Sequence, residues 1–382
     1  MPETSVTGFD ADRIGRRVTA PPLRRLRTRA RRRLTALVGV AIGLLVVAVV
    51  APGLAATVGR DLGADDPPTA GLRLVVFDDR TVVGYESSEQ DCQVRFTRSV
   101  DGGASWLPLV GPDPGTSCLH DTAGQRVSRV IAFALTPDVY LVGVGATDHV
   151  STDAGRTWSD VTGTALTVAD FPPWAVPVNC LTPCPDLRPP VAVDPLHGRL
   201  YRLADPPTDT GLVYVTADGA IWTAGYTVGG TGTAVAVSTD RGASWRVSAG
   251  PAGSTVSGLA ARDAATAFAL FDSRVGSRPT LWRTDDGGQR WQEVPTTLPA
   301  VTTRVATIGA DGRLLVAGTG QDRCPTWISD DDGATFTAGT AGPYGDLDAL
   351  PGRLWSSGHH PWSVSQVTVD GISWQSVPGP AE

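Results

Sequence analysis

From Leu72 onward, apolar and polar positions alternate in short runs that fold back around acidic turns. The stretch LRLVVFDDRTVVGY, residues 72–85, carries apolar residues on both flanks of Asp78-Asp79. VATIGADGRLLVAG, residues 305–318, does the same around Asp311-Gly312, and LVYVTADGAIWTAG, residues 212–225, matches it. A period of two on either side of a tight acidic turn predicts a β-hairpin. The 44 Gly and 30 Pro, with aromatics held at 7%, punctuate short elements rather than build long helices, so an all-β body is expected.

One segment departs from this pattern. Leu34 to Gly59 carries no charge and includes LVGVAIGLLVVAVV, which at about 1.5 Å per residue can cross a ~30 Å hydrocarbon layer. Ten Arg lie before it, from Arg13 to Arg33, and positive charge stays on the cytoplasmic side. A cleaved signal peptide ending at Leu54-Ala55-Ala56 is the rival, but the apolar run exceeds the ~7–15 residues of such a segment. The expected organisation is an Arg-rich cytoplasmic segment 1–33, a transmembrane helix 34–59 in contact with membrane lipid, a polar linker 60–71 and an extracellular body 72–380.

Within the body a second pattern recurs. SVDGGASW (99–106), STDAGRTW (151–158), STDRGASW (238–245) and TDDGGQRW (284–291) share one frame. SDDDGATF (329–336) keeps the frame with Phe336 for Trp, and TVDGISW (368–374) is one residue shorter. An Asp carboxylate and a Ser or Thr hydroxyl can accept backbone N–H bonds inside a tight turn, while Gly supplies a left-handed conformation. The aromatic that ends the motif can then lie between neighbouring sheets. The residues with these structural roles are Asp101 and Trp106, Asp153 and Trp158, Asp240 and Trp245, Asp286 and Trp291, Asp331 and Phe336, and Asp370 and Trp374.

Ser/Thr-x-Asp-x-Gly-x-Ser/Thr-Trp resembles the Asp-box, or BNR repeat, of the sialidase-like superfamily, and is also similar to propellers of the photosystem II assembly-factor and sortilin types. The resemblance implies a β-propeller of four-stranded blades over about residues 72–380, with each box between a third and a fourth strand. The box aspartates are spaced by 52, 87, 46, 45 and 39 residues, so one gap is double. VAVDPLHGRLYRLAD, residues 191–205, reads as the inner hairpin of a blade inside that gap, without an obvious outer hairpin unless Phe171 to Pro189 supplies it. Seven blades are expected. The alternative is six, with TADGAIW at Thr216 to Trp222 taken as a further box.

Charge then narrows the chemistry. Beyond residue 56 there are 22 Arg against 36 acids, a balance of −14, which excludes nucleic-acid phosphate as a partner. Boxes mark one face, called lower here, and function is expected on the upper face, toward an unknown protein or glycan ligand. All five Cys map to the upper loops on this reading. Cys92 with Cys118 and Cys180 with Cys184 are the disulfide candidates, leaving Cys324 as the free thiol. Trp174 in FPPWAVP reads as the packing anchor of its own loop, with a binding-face aromatic as the alternative. No cofactor and no metal are expected: His359 and His360 lack a third ligand, and Asp330-Asp331-Asp332 fits no calcium-loop spacing.

The sialidase resemblance implies an Arg triad for a substrate carboxylate, a Tyr nucleophile tuned by Glu and an Asp acid/base. Arg73, Arg129 and Arg304 lie on or beside expected first strands, and Tyr344 is the nominal nucleophile. Tyr344 has Asp346, not a paired Glu, beside it, and the Phe/Tyr-Arg-Ile-Pro motif is missing. A binding or scaffolding module therefore leads, with an exo-sialidase-like hydrolase as the alternative.

Overall fold

The computed structural model describes residues 72–87, 93–113, 130–144, 147–161, 166–181, 190–230, 232–273, 278–300, 303–318, 323–357 and 365–379. Residues 1–71, with the expected membrane span, lie outside them. Among the described residues no helix is long and apolar enough to cross a membrane.

The strands form seven four-stranded sheets and one two-stranded clip, a seven-bladed β-propeller. Six blades are antiparallel meanders taken from contiguous sequence: 73–110, 130–161, 208–249, 255–294, 303–338 and 346–377. The alternation seen in sequence sets what each strand buries. In blade 1 the third strand, Val94–Ser99, turns Val94 and Phe96 inward and Arg95 outward, whereas the fourth, Leu107–Val110, is largely exposed. Burial thus falls toward the rim of each sheet, and the core lies between blade faces. Phe96 of blade 1 stacks on Tyr140 of blade 2 with centroids 5.1 Å apart, and Trp222 of blade 4 meets Trp291 of blade 5 edge-on at 6.0 Å.

Blade 3 differs from the expectation. The hairpin Val191–Val193 and Leu200–Leu203 forms its middle, not its inner pair. Val176–Pro177 pairs antiparallel with one side and Leu166–Val168 joins Leu200–Leu203 in parallel on the other. Both flanking strands precede the hairpin in sequence, so no outer hairpin follows it. The six-bladed alternative fails because Thr216 to Trp222 spans the first turn of blade 4: Val215 and Ile221 pair across it.

In several blades the first turn and the octapeptide turn are clipped together. Gly102 N–H donates to Arg80 carbonyl at 2.8 Å, Ala154 to Asp138 at 2.8 Å and Gly287 to Ala265 at 2.9 Å. These turns therefore share one face, and the first strands enter from the other. The last blade closes on the first without exchanging a strand; side chains join them instead. Trp355 Nε1 donates to Leu74 carbonyl at 2.8 Å, Leu74 N–H donates to Ser357 Oγ at 3.1 Å, and Arg353 reaches Asp79 at 3.3 Å.

Candidate functional site

The octapeptide turns consume their own polar groups. In blade 1 Ser99 Oγ accepts Gly103 N–H at 2.7 Å and donates to Asp101 at 2.8 Å. Asp101 accepts the Ser105 N–H and hydroxyl at 2.9 and 2.6 Å. Hydrogen bonds from the Ser105 side chain hold the Asp101 carboxyl down from 3.8 to about 2. The same bonds recur at Asp153, Asp240 and Asp331, with a reduced set at Asp286 and Asp370. The indoles reach across to the preceding blade: Trp158 donates to Val110, Trp374 to Thr340, and Trp106 to Pro378 across the ring closure. The buried indole N–H groups of Trp245 and Trp291 find no acceptor among the described residues. These carboxylates and indoles build turns and seams and leave little for a ligand.

The opposite face presents a different group. Arg73 opens the first strand of blade 1, directly across from Tyr85 on the second. The Tyr85 phenol lies within electrostatic reach of Arg73, Asp348 and Asp346, while its ring packs against Phe96. Burial pushes its phenol above 10.0, against the opposing pull of Arg73. Asp346 and Asp348 occupy alternate positions of the first strand of blade 7, whose second strand bonds Leu74. The cluster therefore stands at the ring closure, where blades 7 and 1 meet. Beside it, Arg323–Cys324 pairs with Gly342–Pro343, clipping a loop of blade 6 to the connection into blade 7. Cys324 is a free, buried thiol whose Sγ lies 3.8 Å from the Gly345 carbonyl, and burial raises its pKa.

Of the residues singled out in sequence, the structure brings Arg73 into this cluster. Arg304 falls in the first strand of blade 6. Tyr344 is 51% exposed in the connection before blade 7. The tyrosine opposite Arg73 is Tyr85, not Tyr344. The pairing centres the turn on Asp79; a turn centred between Asp78 and Asp79 would set Arg73 opposite Gly84, so the sequence pattern does not by itself bring Tyr85 to Arg73. Arg129, Cys92, Cys118, Cys184, His359 and His360 lie outside the described residues. Cys180 is buried, and its backbone bridges Val213 of blade 4 rather than sitting in an upper loop. Phe171 to Ala175 also departs from the upper face: Phe171 N–H donates to Arg241 carbonyl in the octapeptide turn of blade 4. Phe171, fully buried, anchors that loop, and Trp174 is 59% exposed. Asp332 pairs with Arg262 and Arg283. Among the described residues no group of three or more His, Cys, Asp or Glu could hold a metal ion.

No family model matches the chain, and no curated protein matches it. Solved structures do resemble it. They include YCF48 bound to D1 peptide, at 16% identity over 81% of this chain and 82% of that one, TM-score 0.33. The GH74 xyloglucanase from Xanthomonas campestris is 18% identical over 79% of this chain and 46% of its own, TM-score 0.37. Hadza microbial sialidase Hz136 is 14% identical over 81% of this chain and 66% of its own, TM-score 0.37. At such identities the likeness is one of propeller architecture.

Proposed function

We propose that this chain is a membrane-anchored, extracytoplasmic propeller that holds a protein or glycan ligand on its upper face, without cleaving it. The observation that carries this reading is the Arg73–Tyr85 pair facing Asp346 and Asp348. It combines donors with acceptors, and burial pushes the Tyr85 phenol up, so that Tyr85 stays protonated near neutral pH. The ten Arg ahead of residue 34 and the uncharged span to residue 59 support an anchor with the body outside.

The reading is tested with the full chain in detergent. It should release no fluorophore from a sialic acid aryl glycoside above a no-protein control. A photo-crosslinker at the exposed Tyr344 should yield, in intact membranes, an adduct that disappears in Arg73→Ala. Turnover that is lost in Tyr344→Phe and Arg304→Ala would establish the hydrolase instead.

A further inference from the structure

The octapeptide turn of blade 4 carries Arg241 where the other full-length turns carry Gly102, Ala154, Gly287 and Asp332, all in the left-handed region. The guanidinium reaches 66–70 residues back along the chain to clamp a single loop. Its Nε donates to Phe171 carbonyl at 2.9 Å, and a terminal nitrogen donates to the carbonyls of Pro172 and Ala175. The Arg241 carbonyl accepts the Phe171 amide in return, at 2.9 Å. Phe171 and Ala175 are buried at either end of the loop, and Pro172 and Pro173 restrict the backbone between them. Trp174 stands at the tip with 59% of its surface in solvent.

Phe171 already fixes this loop from the inside. The clamp holds the Trp174 backbone in place with the indole outside, so a ligand meeting it would cost little further ordering. Val176 pairs with Val193, which places Trp174 and the 77%-exposed Leu196 past the same end of blade 3. The exposed indole offers on the order of 150 Å². That is well short of the roughly 800 Å² per partner of a stable protein interface, but it matches the face of one sugar ring. A polyproline peptide needs a groove lined by several aromatics, and Trp174 is the single aromatic at the tip. The net charge of −14 beyond residue 56 repels anionic polymers and lipid surfaces. Asp170, exposed on the same segment, is an acceptor for sugar hydroxyls.

We infer that the Trp174 turn is a stacking platform for an uncharged pyranose chain, separate from the Arg73–Tyr85 cluster. The full chain in detergent is titrated calorimetrically with cellohexaose, maltohexaose and xylohexaose. At least one of them binds, Trp174→Ala weakens it by about tenfold or more, and Trp174→Phe retains most of the affinity. Because Trp174 is exposed, Trp174→Ala leaves the melting temperature unchanged, whereas Arg241→Lys, which loosens the clamp, weakens binding with the indole intact. Failure of all three sugars to bind, or affinity that survives Trp174→Ala, overturns the inference. Sugar affinity lost in Arg73→Ala and kept in Trp174→Ala also overturns it, and moves glycan recognition to the upper face. A self-association abolished by Trp174→Ala without any sugar binding identifies the patch as a contact between copies and overturns it as well.

Discussion

Trp355 of the last blade donates its indole N–H to the backbone carbonyl of Leu74 in the first, at 2.8 Å, with the ring fully buried. Consecutive blades elsewhere follow one another along the chain, whereas here the last meets the first, so this bond and the packing around it hold the joint. Trp355→Phe keeps most of the volume but leaves the Leu74 carbonyl unpaired, and is expected to cost about 1–3 kcal/mol. Trp355→Ala adds a cavity and should cost about 3–5 kcal/mol. Urea unfolding of the two variants checks the order. Equal losses in both would mean that the indole bond, and not the packing, seals the joint.

The octapeptide carboxylates give stability a pH dependence. Asp101 is held from 3.8 down to about 2 by hydrogen bonds, led by that from the Ser105 side chain, and Asp153, Asp240, Asp286, Asp331 and Asp370 are lowered as well. Below about 4 the unfolded chain binds protons that the folded chain does not, so the stabilisation is complete above that pH and fades as pH falls toward 2. Asp148 and Asp272, raised by burial, oppose the trend but are fewer. The melting temperature should fall between pH 5 and about 2, and the fall should be shallower in Asp101→Asn.

Two glycines in the same backbone region should respond differently. Gly219 and Gly333 lie at φ 86° and 90°, where any side chain is strained. A Cβ at Gly219 meets open space, so Gly219→Ala should cost about 1–2 kcal/mol. A Cβ at Gly333 comes within 2.1 Å of Leu281, which is completely buried and cannot swing away. Gly333→Ala should lose clearly more in chemical denaturation, and comparable losses would show that Leu281 relaxes.

Topology is open to a direct experiment. With positive charge retained inside, protease added to intact cells should degrade the body from residue 72 onward. Protection in intact cells, followed by digestion after lysis, would place the body in the cytoplasm.

The regular blades were legible because each hairpin combines an alternating run with an acidic turn, as in residues 305–318. Blade 3 was not, for a physical reason. Its added strands, Leu166–Val168 and Val176–Pro177, are three and two residues long, too short to display a period, and one of them pairs in parallel. The Arg73–Tyr85 pair depends on a turn centred on Asp79 rather than between Asp78 and Asp79, a one-residue difference in register that the alternation leaves open, and the carboxylates within electrostatic reach of it come from more than 250 residues away. The loop that carries the exposed Trp174 is bonded by Arg241, a residue whose neighbours in sequence mark it only as part of a turn. Local pattern reveals pairing along a strand and is silent on capture by a distant side chain.

Because six blades are contiguous and blade 3 draws its flanking strands from upstream, every sheet holds its full complement of strands once its own stretch of chain has emerged. Folding can therefore proceed vectorially from the N-terminal side, with each finished sheet offering a surface for the next, and little unpaired edge waits for distant sequence. The last joint made is the one at Trp355 and Leu74, so a truncated product lacking residues 346–377 would be an open arc of otherwise completed sheets.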